Sequence, residues 1–143
     1  MNRLVLPLAL LMPLAFSAAA QTKRPAASNA PLQASIAARG KAVYTQFCIT
    51  CHQADGAGVQ GINPPLIKTE YVLGEKAKLI NIVLKGLNKE LEIDGETYTN
   101  AMPPLNHLTD QQVADVLTYV RNNFSNKASA ITATQVKAVR GHK

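Results

Sequence analysis

Tryptophan is absent from this 143-residue chain, and three Phe and four Tyr bring its aromatic content to only 5%. That scarcity deprives a small domain of the bulk its core would normally use, and it leaves no aromatic interleaving for nucleic acid. Cysteine is nearly absent as well: two residues permit at most one disulfide and fall short of the four N or S ligands of a structural zinc site. His107 and His142 do not supply the missing half, because they are not spaced as an H-x(3 to 5)-H pair. Long apolar runs are missing too, since the longest, Leu4 to Phe16, is broken by two prolines and is shorter than the ~20 residues of a spanning helix. No internal repeat is present. Acidic residues are lacking at both ends: Gln21 to Gln33 carries Lys23 and Arg24, and Lys127 to Lys143 carries four basic residues, with no Asp or Glu in either.

The two cysteines that are present stand in Cys48-Ile49-Thr50-Cys51-His52. C-x-x-C-H is the attachment signature of a c-type haem. Two thiols at this spacing can add to the two vinyl groups on one edge of a porphyrin, and the next residue then falls under the iron. A neutral imidazole is a common iron ligand, and its second nitrogen needs a hydrogen-bond acceptor to fix the tautomer. Rival readings of the pair are a zinc half-site, a thioredoxin-like redox motif and a plain disulfide. A redox motif of that kind opens the helix of a βαβ unit, whereas the residues before Cys48 have helical, not strand, periodicity.

The N-terminus bears on the same point, because haem attachment of this type takes place after export. Arg3, the apolar stretch to Phe16 and Ala18-Ala19-Ala20 before Gln21 form an export signal over residues 1–20 with cleavage after Ala20, which predicts a periplasmic protein. An uncleaved anchor is the alternative, and no Cys follows the apolar stretch to make a lipoprotein. The formal net charge of +6 falls by one when Arg3 leaves with the signal, and the remaining excess lies at the ends. Between Ala34 and Asn126 eight basic residues face nine acidic ones, so the pI near 9.5 describes the termini and not the domain. No nucleic-acid partner is expected. The domain organisation expected is a signal at 1–20, a flexible Pro/Ala/Ser linker at 21–33, one domain at 34–126 and a solvated basic tail at 127–143.

Within that domain, Ile36, Val43, Tyr44 and Phe47 recur at helical spacing, predicting a helix from Ser35 into the haem motif. Gly40 within it costs ~1 kcal/mol relative to Ala on an open helix, which predicts a close packing partner. Gln53 to Pro65 is a Gly/Pro loop. Leu79, Ile82, Val83 and Leu87 mark a second helix over Glu75 to Leu87, and Asp94-Gly95 marks a turn in a short irregular hairpin between Leu91 and Asn100. Thr109 and Gln112 form a capping box at the head of the last helix, whose apolar face is Val113, Val116, Leu117, Val120 and Phe124.

From about Ser35 to Phe124 the chain resembles the class I cytochromes c. The resemblance rests on the CxxCH motif, on Gly40, Tyr44 and Cys48 four residues apart, and on Val116 with Tyr119 in the last helix. It implies an all-α fold of three main helices and long Gly/Pro loops around one covalent haem c, with the first and last helices crossing closely. Ala101-Met102-Pro103-Pro104 is similar to the family's M-P-P ligand loop, which makes Met102 the second axial ligand opposite His52. Met102 is also the only methionine outside the signal. The rival ligand is His107, and the plainer alternative is that Met102 fills the core. Asn63-Pro64-Pro65-Leu66 is similar to the family's P-x-L loop, implying that the Pro64 carbonyl accepts the His52 N–H and that Leu66 packs on the ring, with the register uncertain by one. Tyr98 and Arg121 are candidates for the haem edge or a propionate, against a core Tyr and an Arg snorkelling from the surface.

These residues predict a periplasmic one-electron carrier of a respiratory chain, not an enzyme, because a six-coordinate haem moves one electron without a protein acid, base or nucleophile. The alternatives are a haem subunit of a larger oxidoreductase complex, or a haem enzyme or gas sensor in which Met102 is displaceable. The partners implied are redox proteins of the dehydrogenase, nitrite reductase or terminal oxidase type, and the chain works as a monomer or as a subunit of such a complex.

Overall fold

The apolar periodicities of the sequence become helices packed on one another, and a computed structural model describes residues 30–141. The signal at 1–20 lies outside the described residues. So do residues 21–29 of the expected linker and the last two residues of the expected tail. The elements in order are α1 (Ala30–Phe47), α2 (Ile49–His52), α3 (Glu70–Leu73), α4 (Lys76–Lys85), β1 (Leu91–Ile93), β2 (Glu96–Tyr98), α5 (Asp110–Arg121) and α6 (Ala133–Gly141). The fold is all-α apart from the antiparallel pair β1–β2, in which Leu91 faces Tyr98 across the Asp94-Gly95 turn.

α5 begins as its sequence demands. The Thr109 hydroxyl accepts from the Gln112 N–H at 3.2 Å while the Gln112 side chain accepts from the Thr109 N–H at 2.9 Å. Removing a cap of this kind costs ~1 kcal/mol. α5 then crosses α1, where Gly40 is buried. A Cβ on residue 40 would overlap the Asp115 carbonyl oxygen and lie 2.6 Å from the Tyr119 Cβ, so the close partner that Gly40 called for is α5 itself. Arg39 pins the crossing, donating from Nε and Nη2 to the two carboxylate oxygens of Asp115 at 2.6 and 3.0 Å. Tyr44, Tyr119 and Phe124 close it with a three-ring cluster whose centroids are 5.2–5.8 Å apart.

Three expectations need correction. The first helix begins by Ala30, so residues 30–33 are helical and not linker. More consequentially, the segment after Asn126 is not a solvated tail. Ile131 and Val136 are 4% and 0% exposed, and α6 packs against both α4 and α5. Thr132 caps α6 through Gln135, repeating the device of α5. Arg140 donates to Asp110 at 2.7 Å and to the carbonyls of Asn106 and Leu108 at 2.8 and 2.7 Å, binding α6 to the approach of α5. Arg121, finally, does not snorkel. It is 3% exposed, donates to the carbonyls of Val72, Gly74 and Ser129, and has its pKa lowered by burial.

Candidate functional site

α2 is a single turn that continues α1 with the haem motif. The Cys48 N–H donates to the Tyr44 carbonyl and the His52 N–H to the Cys48 carbonyl, both at 2.9 Å, so Cys48, Cys51 and His52 are held on helical backbone. The chain then leaves at Gln53 and turns through the Gly/Pro loop. This loop returns on itself, with the Gly58 N–H donating to the His52 carbonyl at 3.1 Å and Val59 bridged to Asn63. Gly58 has φ +68°, and a Cβ there would meet the carbonyls of Asn63 and Pro64. Only glycine allows the backbone this close.

The effect of that turn is to aim the Pro64 carbonyl at His52, 3.0 Å from Nδ1. A carbonyl oxygen only accepts, so Nδ1 carries the proton and Nε2 of the neutral ring keeps its lone pair for a metal. Burial lowers the His52 pKa, against the smaller opposing effect of the Pro64 hydrogen bond, and so favours that neutral ring. The carbonyl facing His52 is that of Pro64, the acceptor that the resemblance implies. Cys48 as a free thiol is pushed up to about 11, first by burial and then by Cys51. Redox-active cysteines have lowered values, so the thioredoxin-like reading has no support here.

Met102 arrives from the other half of the domain. Its backbone exchanges two hydrogen bonds with Leu87 just beyond α4, both 2.9 Å, and the Leu105 N–H donates to the Val83 carbonyl at 2.9 Å. Gly86, φ +74°, makes this possible, since a Cβ there would overlap the Met102 carbonyl oxygen and lie 2.9 Å from the Pro104 nitrogen. Residues that the sequence did not mark tie the two loops together. Asn100 donates its backbone N–H to the Ile62 carbonyl at 3.0 Å and its side chain to Asn63 Oδ1 at 2.7 Å. Buried Asn126 takes the Lys68 N–H and donates to the carbonyls of Leu66 and Val120, each at 2.8 Å, anchoring Leu66 to the end of α5.

Cys48, Cys51, His52, Pro64, Leu66 and Met102 all line one cleft, together with Val83, Leu117 and Val120 from the core. Its space, including the part open to solvent, is about 1200 Å³, and no Lys, Arg, Asp or Glu lines it. An apolar slot with two thiols, an imidazole and a thioether at its walls fits a porphyrin and its iron. His107 is exposed, 5.5 Å from the Phe47 ring by centroids, and is not among the lining residues. Tyr98 is buried in the core at 9% exposure, and neither it nor Arg121 lines the cleft.

Comparison with known proteins agrees with this geometry. The family model for cytochrome c matches residues 37–124. The chain belongs to the cytochrome c family. As a c-type cytochrome it carries covalently bound haem c and serves electron transfer. It is similar to cytochrome c-552 of Thermus thermophilus, 31% identical over 115 residues that cover 74% of this chain and 87% of that one. It is also similar to the cytochrome c subunit of a quinone-dependent alcohol dehydrogenase from Gluconobacter oxydans (33% identity, 71% of this chain) and to that of a gluconate 2-dehydrogenase from Pantoea cypripedii (34%, 71%). The match spans only 22% and 24% of those two longer chains. The family match ends at residue 124, so α6 lies beyond it.

Proposed function

We propose that this cytochrome is an exported one-electron carrier whose haem is attached through Cys48 and Cys51 and ligated axially by His52 and Met102. The observation that carries this reading is the convergence of His52, with its Nδ1–H held by Pro64 at 3.0 Å, and Met102 on one apolar cleft that also contains both cysteines. The bound haem supplies a one-electron iron couple. The chain's part is to hold the imidazole neutral and oriented, to present a soft thioether on a loop tied to Leu87, and to surround the group with apolar side chains that limit water. His/Met ligation favours a higher potential than harder ligand sets. No acid, base or nucleophile is required of the protein, in keeping with a carrier and not a catalyst.

The export signal supports a periplasmic location with redox proteins as partners. Among the described residues no helix is long and apolar enough to cross a membrane. Its similarity to cytochrome subunits of dehydrogenases favours one second reading, a haem subunit that serves a larger oxidoreductase. The test of the ligand set is Met102→Ala. Loss of the ferric Met-sulfur charge-transfer band and a gain of carbon monoxide binding are expected, and an unchanged spectrum would move the ligand role elsewhere.

A further inference from the structure

Haem brings two propionate carboxylates into a cleft whose walls hold no charged side chain. Ionised carboxylates left in apolar surroundings are strongly disfavoured unless paired or hydrated. Beside the cleft lies a second depression, which shares Tyr71, Ile82 and Leu87 with it and adds Lys78, Asn81, Lys85 and Lys89. Its lining is as one-sided as the cleft's is neutral: three lysines and no carboxylate. Among the described residues the only ion pairs are Arg39–Asp115 and Arg140–Asp110, so these three lysines have no carboxylate partner within 4.0 Å. Lys78 lies over the Tyr71 ring, 4.5 Å from its centroid, at the wall common to both spaces. An independent sign comes from Asn81, whose Oδ1 is the one buried side-chain polar atom among the described residues with no hydrogen-bond partner. An amide's O and N positions are assigned from its hydrogen bonds, and here no bond holds Oδ1 in place. A half-turn of the amide would present its N–H donors to a carboxylate.

We propose that this depression receives the haem propionates, with Lys78, Lys85 and Lys89 as their counter-charges and the Asn81 amide as a hydrogen-bond donor. The proposal rests on the placement of haem in the adjoining cleft. It gives the lysines a definite role: they keep the propionates ionised through the neutral pH range and, as cations near the iron, favour its reduced state.

The test is the midpoint potential of the haem-loaded protein, measured spectroelectrochemically between about pH 5 and 9. The parent protein is expected to show a nearly flat profile. In Lys78→Met and Lys85→Met the potential should be lower at the alkaline end and should rise as pH falls, because an unpaired propionate takes up a proton when the iron is reduced. Lys41→Met, an equal charge change at an exposed position outside both spaces, should keep the parental profile. Asn81→Leu should also raise the apparent propionate pKa. Parental profiles in both Lys78→Met and Lys85→Met would overturn the proposal. So would a crystal structure of the loaded protein whose propionates point away from Lys78, Asn81 and Lys85. The alkaline pyridine spectrum separates the two layers of inference: absence of thioether-linked haem in the parent overturns the cleft assignment and the proposal together, whereas haem present with unmoved profiles overturns the proposal alone.

Discussion

Gly58→Ala tests the link between loop geometry and iron chemistry. At φ +68° an L side chain costs ~1–2 kcal/mol, from the approach of Cβ to the following carbonyl oxygen. The new methyl would also lie 2.7 Å from the Pro64 carbonyl oxygen and 2.8 Å from its carbon, in a backbone with no flexible side chain to yield. Overpacking of this kind adds ~1–3 kcal/mol, giving a total loss of about 2–5 kcal/mol, a large part of the stability of a small domain. The closest contact of that methyl is the Asn63 carbonyl, followed by that of Pro64, so relief requires the Asn63–Pro64 backbone to shift, which disturbs the 3.0 Å bond to Nδ1 and makes the imidazole a less basic ligand. The potential should therefore rise while stability falls. Guanidinium unfolding followed by haem absorbance measures the stability, and spectroelectrochemistry measures the potential. Gly61→Ala is the control: it has φ +70°, but its nearest neighbour would be Glu96 Oε1 at 3.7 Å, so it should cost only the ~1–2 kcal/mol of backbone strain and leave the potential alone. Stability within ~0.5 kcal/mol of the parent together with an unmoved potential in Gly58→Ala would refute the reasoning.

Cutting the chain after Asn126 removes the buried Ile131 and Val136, each worth ~1.5–3 kcal/mol, along with the Arg140 contacts. The thermal midpoint should drop clearly, and an unchanged melt would return the segment to the role of a solvated tail. Arg121→Met leaves the carbonyls of Val72 and Ser129 without a donor, so a loss of roughly 3 kcal/mol is expected in denaturant titration; a loss under ~1 kcal/mol would show that water replaces the guanidinium.

Local patterns carried much of this fold. The capping box of α5, the Asp94-Gly95 turn and the CxxCH turn depend on neighbours within a few residues, and each has the form that its spacing implies. Gly40 was legible as a demand for close packing, and Pro64 as an acceptor through the family's loop. The basic composition of the C-terminal segment implies a solvated tail, whereas Thr132 and Gln135 within it repeat the Thr109–Gln112 signal and cap a helix. Arg121 departs from its expected place for another reason. Nothing adjacent in sequence reveals that three carbonyls from distant segments will surround it.

By itself, the sequence determined that the chain binds covalent haem c, since two thiols and an imidazole at C-x-x-C-H spacing are a local arrangement. Only the tertiary structure decided which carbonyl orients His52, that His107 and Arg121 stay clear of the cleft, and that Asn63, Asn100 and Asn126 lock its loops together. The physical reason is that a hydrogen bond between residues distant in the chain leaves no periodicity behind. Such a bond becomes visible when backbones come close enough to touch, as they do at Gly40, Gly58 and Gly86.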